Sequence, residues 1–425
     1  MKARPGRSWM HKPKMAFLMA AILAACGAAR ADDDGPKLKL SGYGTLGVAH
    51  SDNRGADYLV DSFKPNGPGA TRAWNTDTDS RLGLQASAEL SPRVSAVLQV
   101  ISQQRFDGSY RPTIEWANVR YSPLPDLSLR AGRIVLPVFM VTDSRRVGYA
   151  NPWVRPPVEL YSMIPITTSD GIDASYRMTL SPTTADTLEV TAGRSDAKFP
   201  PSQGLGTGTA EVRDILAVSN SLESGFLTVR LNYGQARLTI PEYAVFEEAF
   251  RQFGPPGAAI AERYGVHGKF SKFVGAGASY DPGPWFAMAE WAQFDTHTVI
   301  GKKAAWYVSA GHRWNKFTPY ATFAQLKGLS NTSDPGIPLA GLPPPVAAGA
   351  AQLNAVLNGQ LGILPTQSTL SLGVRWDLFR SAALKLQYDR VALGSGSRGV
   401  FGNIQPGFEP GSTVHLISAT FDFVY

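Results

Sequence analysis

The stretch that decides the fold is STVHLISATFDFVY, the last fourteen residues, from Ser412 to Tyr425. One set of alternating positions is mostly apolar or aromatic: His415, Ile417, Ala419, Phe421, Phe423 and Tyr425. The other set is largely polar: Val414, Ser418, Thr420 and Asp422. Only extended backbone sorts side chains with a period of two. The stretch therefore predicts a β-strand with one apolar face that ends in aromatic rings.

Two kinds of β protein accommodate such a strand. A soluble sandwich would bury the apolar face against a second sheet, whereas an outer-membrane barrel turns it toward lipid. On these residues alone the two interpretations are equally good, so the rest of the chain has to decide between them.

The same alternation recurs along the chain in sixteen segments. The predicted strands span residues 38–50, 80–90, 94–105, 112–121, 127–133, 170–179, 186–194, 213–221, 225–235, 269–281, 285–297, 304–314, 318–328, 367–378, 382–392 and 412–425. Short and long connections alternate strictly between them, which is typical of outer-membrane barrels with short periplasmic turns and long extracellular loops. The predicted fold is all-β: a transmembrane antiparallel β-barrel of about sixteen strands.

Several segments have the two-sided character that lipid requires. Between positions 226 and 233, the apolar Leu227, Val229, Leu231 and Tyr233 alternate with Thr228, Arg230 and Asn232. A charge facing lipid would cost about 2–4 kcal/mol at the bilayer midplane, so we expect the polar set to face a lumen. In segments 112–121 and 318–328, either set of alternating residues could face the lipid. Aromatic residues near predicted strand ends suit a membrane interface: Trp285, Trp291, Tyr320, Trp376, Tyr388 and Tyr425.

The N-terminal segment predicts export. Lys12 and Lys14 precede an apolar run from 15 to 29, and Ala29-Arg30-Ala31 offers a cleavage site, so we assign residues 1–31 to a signal peptide and 32–425 to the barrel. The run is too short to span a membrane, and no later apolar stretch reaches about 18 residues. Cys26, the only cysteine, would be removed. Its surroundings also resemble a lipoprotein processing site, which remains an alternative.

The overall charge of +7 is concentrated in that segment. Residues 1–31 hold six of the 41 basic residues and no acidic residue, so removing them leaves 35 basic against 34 acidic residues. A nearly neutral mature chain has no electrostatic reason to bind nucleic acid.

A family resemblance becomes specific at four places. Residues 80–90, SRLGLQASAEL, are similar to the second strand of Gram-negative general porins, and residues 38–44, LKLSGYG, resemble their first. Ala131-Gly132-Arg133 resembles the end of the strand that leads into their constriction loop, and the terminal aromatics resemble the outer-membrane insertion signal. The resemblance implies a sixteen-stranded barrel in the cell outer membrane, commonly a homotrimer, that lets small hydrophilic solutes and ions diffuse passively through a water-filled channel.

The resemblance also implies that the third long loop folds into the pore. Here that loop is Ile134 to Ser169, and its prolines favour a stiff loop. The candidate constriction residues are Asp143, Arg145, Arg146, Arg155, Glu159 and Tyr161, and the candidate wall residues are Arg230, Arg375 and Lys385. Because a basic cluster replaces the family's acidic loop, we expect a weak preference for anions. These arginines could instead tie the loop to the wall as structural ion pairs.

Other function classes have less support. A substrate-selective channel remains open, as do a barrel-embedded hydrolase using His312 or His415 and a secreted β-rich adhesin. The GxGxxG spacing of residues 394–399 joins two antiparallel strands, which is no dinucleotide site. No metal-binding or hydrolase motif is present, so no enzyme activity, cofactor or metal is expected. Helices are predicted within long loops at 242–252 and 345–359.

Overall fold

The computed structural model describes residues 37–200 and 207–425. The predicted signal peptide, its cleavage site after Ala31 and Cys26 lie outside the described residues.

Sixteen long strands of the described chain form one antiparallel sheet, and all sixteen predicted strands are confirmed. They are β1 (Lys37–Ser51), β2 (Arg81–Ser91), β3 (Val94–Gln103), β4 (Thr113–Leu124), β5 (Leu127–Val135), β6 (Thr168–Ser181), β7 (Thr184–Phe199), β8 (Gly208–Ser224), β9 (Leu227–Thr239), β10 (Lys269–Tyr280), β11 (Trp285–Asp295), β12 (Lys302–His312), β13 (Phe317–Gly328), β14 (Gln367–Phe379), β15 (Ala382–Leu393) and β16 (Thr413–Val424). Each strand pairs with its neighbour in sequence, and β16 also pairs with β1. The sheet is therefore a closed barrel.

The closing seam joins the two ends of the described chain. The backbone amide of Gly42 donates to the carbonyl of Tyr425 at 3.0 Å, and the amide of Tyr425 donates back at the same distance. Gly42 and Gly44 leave room for the rings of Tyr425 and Phe423, since a Cβ at either glycine would lie within 2.4 Å of a ring atom. Glycine is thus required where the C-terminal aromatics cross the first strand.

The alternating pattern separates the two surfaces of the barrel. On β16, Ile417 is 55% exposed on the outside, whereas Ser418 and Asp422 are fully buried inside. Strand β9 behaves in the same way, with Leu231 exposed and Asn232 buried. The outer surface is apolar and the inner surface carries the polar set, as the sequence predicts.

The two segments that fit either phase are explained by local structure. In β4 the register shifts opposite Gln99 and Val100, so Glu115 is an extra residue that reverses the phase of the strand. In β13 the inward set includes Tyr320, which is buried and donates its hydroxyl to Gln387 at 2.7 Å. The prediction that Tyr320 belongs to an interfacial belt is therefore wrong, because its strand also carries inward apolar residues such as Ala324 and Leu326.

The connections alternate in length around the barrel. Short turns at one rim link β2 to β3 and every second pair thereafter, and the long loops lie at the opposite rim. Both predicted loop helices are confirmed, as α2 (Ala244–Arg251) and α4 (Pro344–Leu361). A third helix, α3 (Gly254–Tyr264), is not among the predicted ones. Its Pro255 and Pro256 suggest an interruption of the helix in the sequence, but they lie in its first turn, where proline is tolerated.

The loop helices pack onto the long-loop rim as one apolar layer. Phe250 of α2, Ile260 of α3 and Leu357 of α4 are buried together with Leu238 of β9. These helices therefore cover part of the barrel mouth. None of the helices in the described ranges is long and apolar enough to cross a membrane.

The connection between β5 and β6, residues 136–167, is called the inner loop. It includes a short helix, α1 (Val158–Tyr161), all of whose residues are buried. Its apolar residues Phe139, Trp153 and Leu160 form one cluster with inward residues of the wall, including Phe273 and Tyr307. The inner loop thus lies within the barrel and packs against one side of it.

Candidate constriction and channel wall

One end of the inner loop is attached to strands β9 and β11. Arg230 donates to the carbonyls of Phe139 and Met140 at 3.0 and 3.3 Å. Glu290 accepts from the amide of Met140 at 2.8 Å and from the Tyr161 hydroxyl at 3.0 Å. Two inward charged side chains therefore satisfy backbone and side-chain groups of the loop.

The middle of the inner loop is attached to strands β14, β15 and β16, further along the same side of the barrel. Lys385 donates to the carbonyls of Gly148 and Trp153 at 2.7 and 2.8 Å and pairs with Asp422 at 3.0 Å. Arg375 donates to the Tyr149 carbonyl at 2.5 Å. The three residues predicted on the channel wall, Arg230, Arg375 and Lys385, all lie on the inner face, and there they bind the loop.

Trp153 is an anchor that the sequence analysis missed. Its indole N–H lies 2.8 Å from the Ser309 hydroxyl and 3.1 Å from that of Thr322, and its ring is buried. Tryptophan combines a large apolar surface with one donor, so it holds a loop strongly where a polar partner is within reach. The polar phase of β12 and β13 carries both partners, but which loop residue meets them depends on the folded loop.

Arg155 has the environment of a structural ion pair. Its guanidinium contacts Asp79 at 2.6 Å and Asp389 at 3.2 Å, and it donates to the Ser418 hydroxyl at 2.7 Å. All three charged side chains are buried. Arg155 thus joins the inner loop to Asp79, two residues before β2, and to strands β15 and β16, which matches the alternative interpretation of the loop arginines.

Glu159 and Asp143 do not gather around the loop arginines, whereas Tyr161 does, since the Arg145 guanidinium lies 5.4 Å from the centre of its ring. The buried Glu159 carboxylate accepts hydrogen bonds from Gln367 and Thr369 of β14. Tyr161 is buried against Phe139 and Tyr307. Asp143 is exposed, and within the described chain it forms no ion pair with Arg145, Arg146 or Arg155. The structure therefore separates residues that are adjacent in the sequence.

Arg145 and Arg146 do lie together at a small cavity of about 50 Å³. Arg145 donates to the carbonyls of Ile164 and Tyr161 at 3.1 and 2.5 Å. Arg146 contacts Glu115 at 3.4 Å and donates to Gln103 at 3.0 Å. This cavity is where opposed surfaces of the loop and the wall approach each other.

Two further basic residues line the same cavity. Lys64, from the connection after β1, donates to the Gln104 carbonyl at 2.6 Å, and Arg81 donates to the Asp79 carbonyl at 3.1 Å. We call Lys64, Arg81, Arg145 and Arg146 the basic cluster. The alternation of polar and apolar residues on β2 indicates that Arg81 faces the lumen. Nothing in the sequence around Lys64 indicates where its side chain lies.

The lining of the cavity carries more basic than acidic side chains. Its lining includes five basic side chains, the basic cluster and Arg155, and two acidic ones, Asp61 and Asp79. Burial lowers the pKa of the Lys64 ammonium to about 8, and the nearby Asp61 carboxylate opposes that shift. The described residues contain no group of three or more side chains suited to hold a metal ion.

Comparison with known protein families identifies the family of this chain. A family model described as Gram-negative porin matches residues 18–399, most of the sequence. The chain belongs to the Gram-negative porin family. It is accordingly an outer-membrane channel protein, and the inward polar set lines the channel. A sequence comparison with curated proteins found no match.

Solved structures support the same fold. The outer-membrane channel DcaP of Acinetobacter baumannii aligns over 94% of this chain and 100% of its own, with 11% identity and a TM-score of 0.55. The anion-selective porin from Comamonas acidovorans aligns over 92% and 100%, with 13% identity and a TM-score of 0.52. OmpF of Salmonella typhi, solved in complex with daunomycin, aligns over 93% and 100%, with 12% identity and a TM-score of 0.52. At these identities the likeness is one of fold.

We expect the substitution Arg155→Met to destabilise this porin. It would leave Asp79 and Asp389 buried without their cationic partner, and breaking a buried pair costs about 3–5 kcal/mol. The measurement is the denaturant midpoint of the protein in lipid vesicles, followed by tryptophan fluorescence.

Arg177→Met is the matched control. Arg177 pairs with Glu223 at 3.0 Å, but both side chains are about half exposed, so its loss should cost about 1 kcal/mol or less. Equal midpoints for the two variants would show that Arg155 does not anchor the loop.

Proposed function

We propose that this porin lets small hydrophilic solutes and ions diffuse passively and that it favours anions weakly. The observation that supports the proposal is the basic cluster at the narrow cavity between the inner loop and the wall. Rings of basic side chains in a narrow pore attract anions and repel cations.

The selectivity rests on the charges that remain after local pairing. Asp79 and Asp389 offset Arg155, and Glu115 offsets Arg146. Lys64, Arg81 and Arg145 have no ion-pair partner within 4 Å among the described residues. Asp61 offsets part of this charge, because it interacts with both Lys64 and Arg145. The remaining positive charge is small, and salt screens it over about 8–10 Å, so the preference should be weak.

We also propose that the protein is a channel without catalytic activity. Of the two histidines considered for a hydrolase, His312 is exposed and His415 is half-buried, with a ring nitrogen 2.7 Å from the Tyr388 hydroxyl and the two rings stacked. A stacked, hydrogen-bonded pair on the outer surface suits an interfacial aromatic belt better than a nucleophile and base in a pocket.

Processing, assembly and orientation are proposed together. We infer cleavage after Ala31, a homotrimer as in the general porins that the sequence resembles, and long loops directed to the cell exterior. Native mass spectrometry of the protein purified from membranes tests the first two. We expect a subunit that begins at Asp32, present in three copies; a subunit that begins at a lipidated Cys26 would favour lipoprotein processing, and a monomer would contradict the trimer.

Replacing both Arg145 and Arg146 with Ala should shift the reversal potential toward cations in planar bilayers under a salt gradient. The change removes two positive charges from the narrow cavity and frees the Glu115 carboxylate from its partner. A pore wall with less positive charge loses its electrostatic preference for anions.

The control for this measurement is Arg313→Ala. Arg313 pairs with Asp281 at 2.6 Å beside a short turn, so it carries charge at the rim and not at the constriction. If the double variant and this control had the same reversal potential as the native protein, the basic cluster would have no part in selectivity.

Anion preference should also fall as the pH rises through about 8. Lys64 is protonated below that pH and neutral above it, because burial favours its uncharged form. The reversal potential, measured from about pH 6 to about pH 10, should therefore move toward cations. Lys64→Met should remove most of this dependence near pH 8, and an unchanged pH profile in that variant would assign the titration to another group.

A further inference from the structure

A second and much larger cavity lies inside the barrel on the long-loop side. Its volume is about 500 Å³, and its walls come from the long-loop ends of β8, β9 and β10, from the inner loop and from the segment following α4. Representative lining residues are Val138, Val212, Phe273, Leu326 and Leu364. We call it the apolar vestibule. Its size is that of a small-molecule site, for which about 300–1,000 Å³ is usual.

The lining is unusual for a space inside a water-filled channel. Polar walls favour the passage of hydrophilic solutes, because ions and polar groups lose part of their hydration shell beside apolar walls. Here the apolar residues come from separate parts of the chain, including strands, the inner loop and the Val299–Ile300 connection. A concave apolar surface with few polar groups is the usual form of a site for an organic ligand.

Lys303 is a charged side chain that points into this space without a charged partner. Lys303 lies in β12 on the same inward phase as Ala305 and Tyr307, and it lines the vestibule. Its ammonium lies 5.6 Å from the centre of the Phe294 ring. Within the described residues no acidic group lies within 4 Å of it, and it donates no hydrogen bond to the protein. Neighbouring Lys302 differs, since it pairs with Asp295 at 3.9 Å and does not line the vestibule.

A lone ammonium on an apolar wall is energetically unfavourable unless an anion approaches it. The aromatic ring of Phe294 satisfies it only in part. An anionic group placed at Lys303 would therefore gain a charge-assisted contact in surroundings that exclude much of the water.

The apolar vestibule also adjoins the basic cluster. Asp61 and Lys64 line both this cavity and the small one at Arg145 and Arg146. An anion leaving Lys303 would therefore meet further positive charge along the inner loop. The order of surfaces, first the apolar wall at Lys303 and then the basic cluster, suits a solute that carries both an apolar body and a negative charge.

We propose that the apolar vestibule is a binding site for organic monoanions with an apolar body, such as aromatic or medium-chain carboxylates, whose carboxylate pairs with Lys303. The apolar body lies against Val212, Phe273 and Leu326. This assignment goes beyond weak anion preference, because it requires recognition of the apolar part of the solute as well as its charge.

Binding can be measured without relying on conduction. The purified protein in lipid nanodiscs is titrated with 2-naphthoate by isothermal calorimetry, after subtraction of empty nanodiscs. We expect saturable binding, with acetate at least about tenfold weaker because it lacks the apolar body, and with 2-naphthylmethylammonium not binding because its charge is reversed.

Variants of Lys303 supply the specific test. Lys303→Met keeps the length and apolar stem of the side chain but removes its charge, so 2-naphthoate affinity should fall by about tenfold or more. Lys303→Arg should retain most of the affinity, and Lys302→Met should leave it unchanged. Native-like migration of all three on unheated gels shows that the barrels are intact.

The same protein in planar bilayers separates this inference from the proposed function. 2-Naphthoate should reduce the ion current through the native channel in a saturable manner, and much less through Lys303→Met. Unaltered current and absent calorimetric binding, in a protein that conducts ions, would overturn the vestibule site while leaving the channel function intact. Equal affinity of the native protein and Lys303→Met would also overturn it, whereas a protein that bound 2-naphthoate but conducted no ions would contradict only the channel function.

Discussion

The whole structure depends on closing one sheet so that no strand keeps an unpaired edge. In a bilayer, an unpaired backbone amide or carbonyl has no water to bond to, so a spanning sheet must return to its own first strand. The reciprocal hydrogen bonds between Gly42 and Tyr425 complete that ring. Once the ring is closed, the alternation of side chains assigns one face of every strand to the outside and the other to the lumen.

Closure leaves a wide lumen, and the inner loop determines what that lumen can do. A barrel of sixteen strands is too wide for its own side chains to fill. The loop is held by charged residues of the wall at several points, with Arg230 and Glu290 near its start and Lys385 and Arg375 near its middle. These charges in the lumen therefore serve to satisfy the polar groups of the loop, and only charges without such partners can act on a solute.

Those remaining charges occur in two different surroundings. The basic cluster lies in a narrow cavity among polar groups, whereas Lys303 lies alone on an apolar wall. Charge among other charges acts on ions through its field, over a distance that salt limits. Charge in an apolar recess acts at contact, because there the loss of water is compensated only by a paired group. One channel can therefore combine a weak general preference with recognition of a particular class of solute.

The sequence by itself determined the sixteen strands, the alternation of short and long connections and the facing of strands such as β9 and β16, because a period of two is a local property of extended chain. It left β4 and β13 undecided, since a bulge at Glu115 and inward apolar residues near Tyr320 depend on neighbouring strands. Only the tertiary structure decided that Arg155 and Glu159 are buried loop anchors, that Lys64 and Arg81 join Arg145 and Arg146, and that Lys303 faces an apolar recess. Those pairings join residues up to hundreds of positions apart, and they are set by how the loops fold across the lumen, which no local periodicity records.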